Sequence, residues 1–429
     1  MPDSLPRFFR LRQSFPRPRL TDVPAATMAA LAECVQRDVR NQTVAIAVGS
    51  RGIADIAPVT RACVDFLKER EARPYLVPAM GSHGGATAEG QAEVLARLGI
   101  TEATMGCPVR SSMEVEQVTT AAEGFPVYFD REALAADHVL VVNRVKPHTK
   151  FSGEIESGLM KMMLIGLGKC QGAGVYHRVI AKYSFDQIVR SVAREVVGRC
   201  RILGGLAILE NAYEETAQVE GVAASEIESR EPDLLQRVKG WMPHLPFDKA
   251  DLLIIDSIGK NISGAGMDTN VVGRKRNDHA AIDGDKPDIL NIYVRGLTPQ
   301  THGNASGIGL AELCHRRVIE AMDRHVTFTN CITAGHVTAA MIPIDFPTDR
   351  KALQTGCGLA GYIAPEQATV VWIRDTLSLG EVECSQAFFE AARSLPNAEI
   401  LSEPTELQFD QHDDLISRFD SSSEEFVGS

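Results

Sequence analysis

Short apolar runs that end in polar, glycine-containing loops recur along this chain, and helix-period segments follow several of them. The first run, Thr43–Val48, consists of β-branched and small apolar residues and stops at Gly49. The run Pro74–Ala79 leads into a Gly-Ser-His-Gly-Gly segment, and Asp137–Asn143 leads into Arg-Val-Lys-Pro-His. Apolar strands that alternate with helices are typical of parallel sheets whose two faces are both covered. The sequence therefore predicts an α/β fold.

The length of the chain indicates two domains. At 429 residues it exceeds the size at which a single hydrophobic core keeps growing. Pro243 and Pro246 favour a boundary, and a second series of strands and helices follows them. We predict an N-terminal α/β domain over residues 1–245 that carries most of the cofactor and catalytic residues, a C-terminal α/β domain over residues 246–405, and an acidic tail over residues 406–429. Both sheets are expected to be mostly parallel, with an active-site cleft between the domains.

Charge, hydropathy and cysteine usage exclude several classes of protein. The net charge of −12 argues against a nucleic-acid partner, because phosphate backbones bind clustered lysine and arginine. No apolar run is long enough to span a membrane. The nine cysteines stand singly without a CxxC pair, which predicts free thiols and a cytoplasmic location. Five arginines among the first twenty residues predict a basic arm that lies on the acidic body.

Two histidines follow predicted strands and are candidate catalytic bases. His83 is flanked by glycines, and His148 follows Pro147, whose φ is fixed. Two imidazoles in neighbouring strand-end loops can face one substrate from opposite sides, as inversion at a carbon requires. A helix-capping His83 and a water-bound loop His148 are the alternatives.

Lys161 and His177 are candidates for cofactor attachment and metal binding. Lys161 lies in an apolar segment with helical spacing, Ile155–Leu167. A partly dry lysine has a lowered pKa and can bond covalently to a carbonyl-type group, although a lysine snorkelling from a buried helix has the same pattern. His177 follows a glycine-rich segment, predicted as a linker, and a neutral imidazole suits nickel, zinc or copper. A single histidine needs a tethered cofactor to supply the other metal ligands.

These residues together resemble the nickel-dependent lactate racemase family of 2-hydroxyacid racemases and epimerases. The residues that carry the resemblance are Ser50-Arg51, Gly81-Ser-His83-Gly-Gly, Lys146-Pro-His148, Phe151-Ser-Gly153, Lys161 and His177. The resemblance implies an isomerase with a nickel pincer nucleotide, pyridinium-3,5-bisthiocarboxylic acid mononucleotide carrying nickel. In that family a lysine is bonded to the pincer, one histidine binds the nickel, and two others act as acid and base while a hydride moves between substrate and cofactor.

The resemblance assigns a role to each matching residue. Lys161 holds the cofactor covalently, and His177, sixteen residues further on, completes the nickel ligands. His83 and His148 are the two bases. The remaining cofactor-binding assignments are Ser50, Arg51 at the nucleotide phosphate, Gly153, and Lys260 on a strand end of the second domain. The implied partners are a small 2-hydroxyacid substrate and the enzymes that synthesise the cofactor.

One departure from the family pattern lies beside His148. Glu154 stands where the family has glycine, so we expect Glu154, Lys146 and Lys150 to alter substrate recognition. Two other interpretations stay open. One is a nickel-independent two-base isomerase or lyase, and the other is a non-catalytic protein that binds a nucleotide or a small anion.

Overall fold

The structure is a computed structural model that describes residues 4–50 and 52–419. The chain divides into two compact units. The first unit is Pro16–Met242, and the second joins the segment up to Phe15 with the chain from Pro243 onward. Each unit contains helices and a multi-stranded sheet with parallel pairs, so the predicted α/β class is confirmed.

Fifteen strands are present among the described residues. In chain order they are β1 Phe8–Gln13, β2 Thr43–Val48, β3 Arg73–Pro78, β4 Val115–Thr120, β5 Pro126–Asp130, β6 His138–Arg144, β7 Ile202–Glu210, β8 Thr216–Ala223, β9 Lys249–Ile255, β10 Asp288–Val294, β11 Leu313–His315, β12 Ile344–Phe346, β13 Val370–Ile373, β14 Glu381–Ser385 and β15 Ala398–Ile400.

Helices connect most of these strands. The α-helices are α1 Val23–Cys34, α2 Ile56–Glu69, α3 Ala88–Arg97, α4 Glu102–Met105, α5 Arg131–Leu134, α6 Leu159–Lys161, α7 Lys169–Val179, α8 Phe185–Arg199, α9 Ile227–Lys239, α10 Thr269–Val272, α11 Arg316–Ala321, α12 Arg324–Thr333, α13 Asp349–Gly358 and α14 Phe389–Ala392. A π-helical turn, Met162–Gly166, continues α6. Among the described residues no helix combines the length and apolar character needed to cross a bilayer.

The sheet of the first unit has the order β3-β2-β6-β7-β8. Its first four strands are parallel, and β8 is antiparallel to β7. Alternate residues of β2 enter the apolar clusters on opposite faces, with Ala45 and Ala47 in one cluster and Val44 and Ile46 in the other. Parallel pairing brings the carboxyl ends of β2, β3 and β6 to the same edge, where ligands of such sheets bind.

The sheet of the second unit has the order β12-β11-β10-β9-β13-β14-β1-β15. The sequence assigns the first fifteen residues to the N-terminal domain, whereas β1 pairs here with β14 and β15. The basic arm does contact acidic groups, because Arg10 lies 2.9 Å from Glu383 and Arg12 lies 2.9 Å from Glu381. Pairing between strands so distant in sequence leaves no local signal, so the predicted domain of the first fifteen residues differs from the unit in which they are found.

The described part of the predicted acidic tail packs on the second unit. Leu415 is buried, its N–H donates to Asp349 Oδ2 at 2.8 Å, and its carbonyl accepts from Arg295 Nη2 at 2.6 Å. Residues 420–429 lie outside the described residues.

Two predicted segments around Lys161 differ from the structure. The helix expected over 155–167 begins only at Leu159, because Lys146 pairs with Ser157 through the backbone and holds the preceding residues extended. The glycine-rich linker predicted before His177 is wrong, because those residues form α7. Each helical glycine costs about 1 kcal/mol relative to alanine, and burial of neighbours such as Tyr176 offsets it.

Candidate active site

The His83 loop follows β3 and meets the residue that follows β2. His83 is half-buried, and its Nδ1 lies 2.5 Å from Ser50 Oγ. Because a hydroxyl can donate or accept, this contact suits either neutral tautomer of the ring. The structure therefore brings together two of the residues selected from the sequence. Arg51, the neighbour of Ser50, lies outside the described residues.

The backbone of the His148 loop is fixed by a buried carboxylate. Lys146 N–H donates to Ser157 O at 2.9 Å and closes the base of the loop. His148 N–H donates to Glu156 Oε2 at 2.8 Å, while Glu156 Oε1 accepts from Lys239 Nζ at 2.8 Å. Glu156 therefore links the loop to α9, which gives His148 a defined position without regular secondary structure.

The His148 ring is held by contacts on its Nδ1 side and on its face. Nδ1 accepts the backbone N–H groups of Lys150 at 3.0 Å and Phe151 at 3.2 Å. Phe151 also stacks on the imidazole at 4.3 Å and on Phe185 at 4.2 Å between ring centroids. Since Nδ1 accepts, the neutral ring carries its proton on Nε2.

Two polar side chains hold the start of the short helix that ends at Lys161. Asn143 Nδ2 donates to Gly158 O at 2.8 Å, and Met160 N–H donates to Glu231 Oε2 at 2.9 Å. Glu231 is fully buried on α9, and burial raises the pKa of its carboxyl to about 7. Lys161 itself is half-buried, and its position is set by this first turn.

The His83 loop lies directly against the helix that bears Lys161. Gly81 N–H donates to Gly166 O at 3.2 Å. A Cβ on Gly81 would lie 3.1 Å from Ile165 Cγ2, and a Cβ on Gly166 would lie 2.7 Å from Ala79 O. Gly81 also has a φ of +61°, a value that residues other than glycine rarely adopt. Glycine is therefore needed on both sides of this contact.

His177 lies on α7 and is an exposed residue. Desolvation lowers the pKa of the imidazole, and the positive charge of Lys150 lowers it further. The neutral form that binds metals is thus favoured at neutral pH.

Gly153 and Lys260 are the remaining residues assigned to cofactor binding, and they belong to different units. Gly153 faces α8, where a Cβ would lie 3.1 Å from Asp186 Cβ. Its neighbour Glu154 forms an ion pair with Arg190 at 2.7 Å. Lys260 belongs to the second unit, and its Nζ donates to Gly264 O at 2.5 Å.

A buried polar group that the sequence analysis missed lies beneath the site. Lys169, at the start of α7, is fully buried and lies 3.0 Å from Asp130 Oδ2 and 2.9 Å from Gln91 Oε1. Burial lowers the pKa of Lys169 and raises the pKa of Asp130, and their ion pair opposes both shifts. The one signal in the sequence is a lysine, Lys169, close to an apolar segment. Its partners cannot be recognised from the sequence because they are distant along the chain.

Comparison with known proteins bears on the fold. No protein-family model and no curated protein matches this chain. Among solved structures, the lactate racemase apoprotein from Thermoanaerobacterium thermosaccharolyticum matches with a TM-score of 0.56 at 12% identity. The two proteins share a fold. The match covers 87% of this chain and 99% of that one, so the likeness extends over both units. At this identity it shows the fold alone, and function must be argued from the site.

Proposed function

We propose that this protein is a racemase or epimerase of a 2-hydroxyacid that uses a lysine-tethered nickel pincer nucleotide. The observation that carries the proposal is the position of His83, His148, Lys161 and His177 on neighbouring elements of one unit. The Gly81–Gly166 hydrogen bond joins the His83 loop to the segment that follows Lys161. The same segment leads within three residues into α7, which carries His177, and His148 follows β6 of the same sheet. The shared fold with a lactate racemase apoprotein supports the same reaction class.

The residues fit the proposed cofactor in their chemistry. Lys161 offers a half-buried amine, and His177 offers an imidazole whose lowered pKa leaves a nitrogen lone pair available at neutral pH. When bound, the pincer nucleotide supplies nickel and a pyridinium carbon that accepts and returns a hydride. Lys146 and Lys150, on the His148 loop, supply positive charge for a substrate carboxylate.

Residues of the chain bind the substrate hydroxyl and exchange its proton. His148 Nε2–H donates a hydrogen bond to it, because Nδ1 is occupied by two backbone donors. His83 exchanges the proton, because its contact with the Ser50 hydroxyl suits both neutral and charged rings. Phe151 covers one face of the His148 imidazole and excludes water there.

The test is cofactor loading of the full-length protein produced together with the cofactor-synthesis enzymes. We expect an intact mass raised by the covalent pincer, one nickel per chain, and inversion of at least one acid in a panel of 2-hydroxyacids followed by optical rotation. Lys161→Ala should lose the adduct, whereas the control Lys182→Ala, at an exposed lysine of the same unit, should keep it.

Two outcomes would contradict the proposal. Protein made in the presence of the synthesis enzymes that carries neither adduct nor nickel rules out the pincer cofactor. Inversion by such protein instead supports the nickel-independent two-base isomerase, and binding of a nucleotide without inversion supports a non-catalytic role.

A further inference from the structure

The buried lysine at the start of α7 connects three parts of the first unit. Lys169 Nζ donates to Pro78 O at the end of β3 and to Gln91 Oε1 on α3 at 2.9 Å, and it lies 3.0 Å from Asp130 Oδ2 at the end of β5. All of these side chains are 0% exposed. The helix that begins with this lysine carries His177.

Gln91 links Lys169 to the His83 loop. Its Nε2 donates to Gly81 O at 2.9 Å and to His83 O at 3.4 Å. The loop turns through Gly81, Gly84 and Gly85 at positive φ and has internal hydrogen bonds of its own, such as Ala86 N–H to His83 O at 3.3 Å, and Gln91 adds donors to Gly81 O and His83 O. A continuous path of buried hydrogen bonds therefore runs from the first residue of the His177 helix to the backbone of His83.

Packing alone does not account for this group. Burying an ammonium and a carboxylate is costly, and apolar side chains of similar volume often give equal or greater stability. Lys169 also has a φ of +52°, an uncommon conformation for a residue other than glycine. Buried polar networks can make a structure rigid and specify one geometry, and the end points of this network are two elements of the proposed active site.

We propose that Lys169 and Gln91 are positioning residues that fix the His83 loop relative to the helix bearing His177. The relevance to catalysis rests on the proposed racemase function, whereas the mechanical link does not. Gln91 is the informative position, because it contacts the loop directly, while Asp130 balances the charge of Lys169 and caps α5 by accepting Ala133 N–H at 2.8 Å. We therefore expect Gln91 to control the rigidity of the loop and Asp130 to contribute to the stability of the fold.

The experiment compares Gln91→Glu with Asp130→Asn in the full-length chain. Gln91→Glu keeps an acceptor for Lys169 but loses the donor to Gly81 O and His83 O. We expect amide hydrogen exchange of the loop segment 79–87 to accelerate about tenfold in protein without cofactor. In loaded enzyme kcat should fall about tenfold, with KM, adduct mass and nickel content unchanged.

Asp130→Asn should give the opposite pattern, with a lower unfolding temperature but loop exchange and kcat within about twofold of the parent. Gln36→Glu, at an exposed glutamine of the same unit, controls for the added charge and should change nothing. Gln91→Met, which removes donor and acceptor at similar size, is the second variant if Gln91→Glu does not accumulate. It should accelerate loop exchange to a similar extent.

Unchanged loop exchange in a folded Gln91 variant overturns the proposal, as does failure of both Gln91 variants to fold, which would make the residue a structural one. Parallel losses of stability and activity in Gln91→Glu and Asp130→Asn overturn it as well. Because exchange is measured without cofactor, accelerated exchange beside an inactive, adduct-free parent refutes the racemase function and leaves the link established.

Discussion

Replacement of His83 by glutamine is expected to lower kcat for inversion of a 2-hydroxyacid by a factor of about 10²–10⁴, the usual contribution of a general base. His148→Gln is expected to stay within about tenfold of the parent, the cost of an imperfectly replaced hydrogen bond. The two histidines occupy similar places after strands β3 and β6, so the sequence treats them alike. The hydrogen bonds at their Nδ1 atoms distinguish the two histidines.

The difference arises at Nδ1 of each ring. In His148 this nitrogen accepts two backbone N–H groups, which cannot act as acceptors, so a proton on Nδ1 would oppose both. A neutral ring then carries its proton on Nε2, and the amide nitrogen of glutamine can donate from a similar position. In His83, Nδ1 contacts the Ser50 hydroxyl, which can reverse its role as the ring gains or loses a proton.

Steady-state kcat and KM across pH 5–9, with loading confirmed by adduct mass and nickel content, test this prediction. The matched control is His138→Gln. His138 is a half-buried histidine at the amino end of β6, and its Nε2 lies 2.7 Å from Gln42 Oε1. The kcat of this variant should remain within about twofold of the parent value. Equal losses in His83→Gln and His148→Gln would show that both rings exchange protons and would refute the asymmetry.

The sequence predicted the parts of this site that depend on local patterns. Strand β2 was predicted with its observed bounds, and the histidine-bearing loops follow β3 and β6 as expected, because apolar runs and glycine are read within a few residues. The predicted roles of His83, His148, Lys161 and His177 remain predictions, since their chemistry requires a cofactor and a substrate.

The parts that could not be predicted depend on contacts between distant residues. Lys169 looks like a helix lysine until Gln91, 78 residues away, and Asp130 are seen around it. Helix α7 contains glycines that favour a loop, and burial of Tyr176 overrides that preference. Strand β1 pairs with residues at least 369 positions away, which no local pattern encodes.

Glu231→Gln is expected to remove a loss of stability that the parent suffers as the pH rises from about 4.5 to about 7. In the unfolded chain this carboxyl has an ordinary pKa near 4.5, whereas burial raises its pKa in the folded state to about 7. Between these values the unfolded chain has released the proton and the folded chain keeps it. Raising the pH therefore favours unfolding, by about 3 kcal/mol once the pH exceeds 7.

Urea unfolding of the two proteins at pH 5, 6, 7 and 8 measures this effect. Trp241 emission reports on the first unit in a Trp372→Phe background, which removes the other of the two tryptophans. Glutamine stays neutral and still offers an oxygen to Met160 N–H, so the variant should match the parent within about 1 kcal/mol at pH 5 and exceed it by about 2–3 kcal/mol at pH 8.

Glu226→Gln, at an exposed glutamate just before α9, should leave the pH profile of the parent unchanged. Parallel profiles for the parent and Glu231→Gln would mean that the buried carboxyl is ionised in the folded state at neutral pH. A neutral Glu231 has a direct consequence for Lys161, because the carboxyl holds the turn that begins its helix through Met160 N–H. In the folded chain this carboxyl ionises only as the pH passes about 7 and would then charge a fully buried oxygen beside Gly158, so the helix start should loosen above pH 7, after most of the stability loss has occurred.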